Sequence, residues 1–182
     1  MKSVFMSLTA LLVATFVLTG LPVFAQDASE AMTDEHIARI KANCQAAMGI
    51  IGRIHAYDAP TYINRNQTYF SISDKMMARL NARLAVNRFD ASALVKTASN
   101  YNDTLTQFRS AYKQYDDSMA DILRMDCKRQ PVTFYDKVRQ TQEERRKVNE
   151  AVLELKSLID QYEQGVESFQ IQHAAQLSGV RS

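Results

Sequence analysis

Tryptophan is absent from this 182-residue chain, and glycine (5), proline (3) and cysteine (2) are scarce. So few turn formers exclude a fold of many short strands and leave a few long helices. An excess of one charge is also lacking. The formal net charge is +2, and with Lys2 the only charge before residue 26, the rest carries 21 basic against 20 acidic side chains. No global field then favours nucleic acid or acidic lipid, and a nucleic-acid partner is not expected. The chain also has no phosphate-binding glycine loop, nucleophile elbow, paired-histidine helix or paired-cysteine metal site. The expectation is a protein that is not an enzyme and carries neither cofactor nor metal.

What is present is helical periodicity. Core-type residues recur at Leu94, Ala98, Tyr101, Leu105, Phe108, Tyr112, Tyr115, Met119 and Ile122. A second set follows at Val138, Val148, Val152, Leu155, Ile159, Tyr162, Val166 and Phe169. Steps of three and four residues make each set a coiled-coil seam. Cys127-Lys128-Arg129-Gln130-Pro131 separates them, with the proline as breaker. Folding there brings Tyr101 to Tyr162, Leu105 to Ile159, Phe108 to Leu155 and Tyr112 to Val152, in one antiparallel register. The hairpin is expected over 91–126 and 131–173. Its acidic block, Asp116, Asp117, Asp121 and Asp126, would lie beside the basic block Lys137, Arg139, Arg145, Arg146 and Lys147. Arg145 falls on the seam opposite Met119, as a polar seam residue that would reach Asp117 or Asp121 and penalise slipped pairings. The mixed run from Glu143 to Lys147 otherwise reads as a solvated face.

Upstream, Ile40, Cys44, Ala47, Ile51 and Ile54 make the stripe of a helix over 33–57, started by Thr33-Asp34-Glu35. Gly49 and Gly52 weaken it or mark a close crossing. Asp58-Ala59-Pro60 should break it. A further helix over 65–86 carries Ile72, Met76, Leu80 and Leu84, with Met77 beside them. Methionines at such spacing are core filler more often than soft-metal ligands. The two helices either form one broken third rod along the hairpin, or fold back on each other in an up-down four-helix bundle.

Residues 1–25 read as a signal peptide: Lys2, an apolar run over Leu8–Leu18, then Val23-Phe24-Ala25 as a cleavage site before Gln26. Retention of this segment would make it a membrane anchor instead. Residues 26–32 form a flexible leader, 33–173 a single helical domain and 174–182 a disordered tail. Export makes Cys44 and Cys127, the two cysteines, a disulfide pair in a periplasmic or secreted protein. Cys127 lies about 54 Å above the base of the hairpin at Asp90, and a third rod that continues past Pro60 raises Cys44 to roughly 50 Å. A helix folding back would bring Cys44 down by about 20 Å, too far for the bond. The bond thus favours the broken rod.

The break itself, Tyr57 to Asn66 with Tyr69 beyond it, concentrates aromatic and polar groups. Tyr57, Tyr62, Asn64, Arg65, Asn66 and Tyr69 form the candidate binding region. The expected fold is an all-α, elongated antiparallel helical bundle. The expected function is protein binding or scaffolding in the cell envelope, through contacts with a protein partner. The alternative is a small-molecule or metal carrier using residues 57–66.

Overall fold

The computed structural model describes residues 32–174. They form an all-α bundle of three long rods, without strands. The first rod comprises helix α1 (Asp34–Ser71), a π-helical segment (Ile72–Ala78) and helix α2 (Arg79–Val86). The second is α3 (Ser92–Arg124) and the third is α4 (Pro131–Gln172). The expected signal segment, most of the expected leader and the expected tail beyond Ala174 lie outside the described residues.

All nine seam positions expected on α3 are buried. The seam of α4 is only half as expected. Val148, Leu155, Tyr162 and Phe169 are buried, whereas Val138, Val152, Ile159 and Val166 are half-buried. Phe134, Thr141, Glu144, Ala151 and Leu158 complete the buried stripe. The reason is the first rod: α4 turns one edge to α3 and a flank to α1, so residues seven apart along that flank stay partly open. The pairing also sits about one helical turn from the expected register. Leu94 reaches Gly165, and Asp121 pairs with Lys137 at 3.6 Å. Gly165 is the close approach, since a Cβ there would lie 2.8 Å from Leu94 Cδ2, whereas Gly49 and Gly52 would make only ordinary contacts.

Most of the charge pairing expected between the hairpin helices is local instead. Lys113 pairs with Asp117, Arg124 with Asp121, and Arg146 with Glu143 and Glu150. The turn is made by Asp126, whose Oδ1 accepts the backbone N–H groups of Lys128 and Arg129. Below it, Pro131 opens α4 at a position where its missing N–H costs nothing.

The first rod does not break. Pro60 lies inside α1, where it removes one helical hydrogen bond and costs about 3 kcal/mol. Tertiary contacts on both sides hold the helix through it, as described below. The adjustment comes later, in the π-helical segment. Buried positions Ser73 and Met77 replace the expected stripe of Ile72 and Met76, and Met76 points outward at 64% exposure. The wider π turn absorbs one extra residue, so that the core stripe resumes at Leu84.

Cys44 and Cys127 are disulfide-bonded, with Cα atoms 5.7 Å apart. The bond joins α1 to the hairpin tip within a small cluster of Cys44, Ile122, Cys127 and Phe134. This geometry selects a continuous α1–α2 rod over the four-helix arrangement. At the other end Phe89 packs edge-on against Phe169, with centroids 5.5 Å apart.

Candidate functional site

The first rod buries few side chains, so its fit depends on discrete polar and aromatic contacts. Asp58, only 14% exposed, accepts a hydrogen bond from the Tyr115 hydroxyl at 2.6 Å and pairs with Arg145 Nη2 at 3.2 Å. One turn on, Tyr62 stacks on Tyr112, with centroids 3.7 Å apart and planes 5° from parallel. These contacts bracket Pro60. Further along, Arg109 Nε donates to Asn66 Oδ1 at 2.7 Å and the Tyr101 hydroxyl to the Tyr69 carbonyl at 3.1 Å. Ser73 donates to Asn102 at 2.5 Å, and the Tyr162 hydroxyl lies within hydrogen-bond reach of Met77 O and Asn81 Oδ1. Two tyrosine hydroxyls thus satisfy carbonyls flanking and within the π-helical segment, where the ordinary helical ladder is shifted.

Burial, ahead of the nearby Asp116 and Asp58 charges, pushes the Tyr112 phenol up to about 12. Burial is also the first cause raising Tyr101, Tyr115 and Tyr162, with the Asp58 hydrogen bond second for Tyr115. All four phenols stay neutral, and therefore remain donors, at physiological pH. On the outer edge, His55 Nε2 meets Asp116 at 2.9 Å.

The bracketed stretch opens into a cleft of about 210 Å³ between α1 and α4, floored by α3. Of the candidate binding residues, Tyr57, Tyr62 and Arg65 line it, together with Arg145. Asn64 faces a separate shallow groove, Asn66 is held by Arg109, and Tyr69 packs edge-on against Phe108. The region is helical rather than irregular, so these side chains fan around a helix and only some converge.

Arg145 lies on the flank of α4, half-exposed, and reaches across to Asp58 rather than to Asp117 or Asp121. The charged residue in the α3–α4 seam is its neighbour Glu144, 9% exposed. One Glu144 oxygen accepts from Gln140 at 2.9 Å, and the other is buried without a partner. Glu144 was hidden in a charge run that looked wholly solvated. Its three-residue step from Thr141 and four-residue step to Val148 were the available signal.

Among the described residues no three His, Cys, Asp or Glu side chains gather to hold a metal, and no helix is long and apolar enough to cross a membrane. Comparison with protein families, curated proteins and solved structures finds no match.

Proposed function

We propose that this is an exported, non-enzymatic binding or scaffolding protein of the cell envelope, acting through contacts with a protein partner. The disulfide joining the first rod to the hairpin tip carries this reading. Such bonds persist in oxidising compartments, in keeping with the signal-like pattern of residues 1–25. The rods, the longest about 60 Å, present extended flanks to a partner. On one of these, Ile63 and Phe70 are half-exposed, with Arg109 5.9 Å from the Phe70 ring centroid.

Recovery of the protein from its own host, with intact mass measured before and after reduction, tests export and oxidation. The expected product begins at Gln26 and gains two hydrogens on reduction. A product that retains residues 1–25 makes the segment an anchor. Crosslinking and affinity capture in the same host should yield one partner in fixed stoichiometry, and its absence would count against scaffolding.

A second reading, a small-molecule carrier, is favoured by one observation: Tyr57, Tyr62 and Arg65 line a real cleft. Native mass spectrometry separates the two, because a carrier isolated gently from its host retains a small molecule.

A further inference from the structure

We propose that the cleft between α1 and α4 takes a small aromatic carboxylate, the ring held by the tyrosine walls and the carboxyl group by Arg65 and Arg145. This rests on the carrier reading of the site. The volume, about 210 Å³, suits a one- or two-ring compound rather than a large cofactor. Tyr57 and Tyr62 contribute accessible aromatic surface over the buried Tyr112 and Phe108, which favours a planar apolar body.

The charge of the ligand follows from which polar groups are already committed. Asp58 is the carboxylate of the lining, and it is satisfied by Tyr115 and Arg145. A cation would therefore meet two guanidinium groups and no free acceptor of opposite charge. Arg65, by contrast, makes no ion pair or hydrogen bond among the described residues and lies exposed at the rim. Arg145 is half-exposed and gives Asp58 only Nη2, which leaves its other N–H groups available. Guanidinium forks match a carboxylate in geometry as well as charge. The neutral phenol of Tyr112 adds no repulsion.

The test is titration of the oxidised protein, followed by heteronuclear NMR, with benzoate and 2-naphthoate, each against its neutral amide. The acids should bind saturably and shift signals of 57–65 and 145–149. The amides should bind at least about tenfold more weakly, as expected for loss of a charge-assisted hydrogen bond. Arg65→Gln, a change at an exposed position, should weaken acid binding and narrow the acid–amide difference, with Arg145 retaining part of it. Acids and amides binding equally in the cleft would overturn the anion assignment while the carrier reading stands. No acid binding there would overturn this proposal, and the further absence of a retained small molecule by native mass spectrometry would overturn the carrier reading with it.

Discussion

The α3–α4 hairpin and the first rod are made in different ways. Helix α3 buries eleven side chains and α4 ten, whereas α1, of comparable length, buries Cys44 alone. The hairpin is held by a continuous apolar seam. The rod is held by a disulfide at one end and, along its length, by single contacts from tyrosines, Asp58, Asn66 and Ser73, with a thinner apolar stripe of Met77, Leu84 and the half-buried Ile51, Ile54, Ile72 and Leu80. A seam is a distributed interaction that runs the length of both helices. A row of anchors is not, and it leaves space between them; the cleft beside Pro60 is such a space.

The largest effect should come from removing the staple. The bond closes a loop with a sequence separation of 83, for which loop-closure entropy gives about 4–5 kcal/mol before any native strain is deducted. Urea unfolding of the Cys44→Ser, Cys127→Ser double variant measures it. A loss under about 1 kcal/mol, the range of an exposed substitution, would mean the anchors hold the rod unaided.

Next comes the seam. Leu155 is fully buried, and Leu155→Ala should cost roughly 2–5 kcal/mol. It should lower the unfolding midpoint of both α3 and α4, since they share that seam. A change confined to the first rod would erase the contrast drawn here.

Asp58→Ala tests an anchor. It strands the Tyr115 hydroxyl and releases Arg145, for an expected loss of about 1–3 kcal/mol. Proteolytic cleavage within residues 57–65 should rise, while α3 and α4 stay protected.

The mildest effect appears only in alkali. Because the folded phenol of Tyr112 is raised to about 12 from an ordinary 10.0, the folded state disfavours the phenolate. Its contribution is fully present below pH 10 and is lost as pH rises through 12. Phenolate absorbance from Tyr101, Tyr112, Tyr115 and Tyr162 should therefore appear only together with loss of tertiary structure. Ionisation of these four below pH 10 in a protein that stays folded would contradict it.

The same contrast explains what could be read from the sequence. Helix α3 faces both neighbours with one stripe, so periodicity marks every apolar core position from Leu94 to Ile122 and passes over only the buried Thr104 and Ser118. Helix α4 divides its apolar residues between seam and flank, and a repeat drawn through Val152 and Ile159 follows the flank instead. Pro60 reads as a break because local propensity ignores Asp58 and Tyr62, whose partners Tyr115 and Tyr112 are some fifty residues away in the chain. The π-helical segment is invisible to a 3.6-residue template by construction. The disulfide was legible because a count of two cysteines leaves one pairing, an expected export makes it oxidised, and rod length then tests it. The cleft was legible only as a neighbourhood. Tyr57, Tyr62 and Arg65 converge there, but the Asp58–Arg145 link that closes its wall spans 87 positions and has no local signature.

Hydrogen exchange of the disulfide-bonded protein with and without reductant tests most directly whether the rod and the hairpin are stabilised separately. On reduction, amides of 34–57 should lose protection first, while those of 92–124 and 131–172 keep theirs. Equal protection of 34–57 in both conditions, or loosening of all three rods together, would contradict the account.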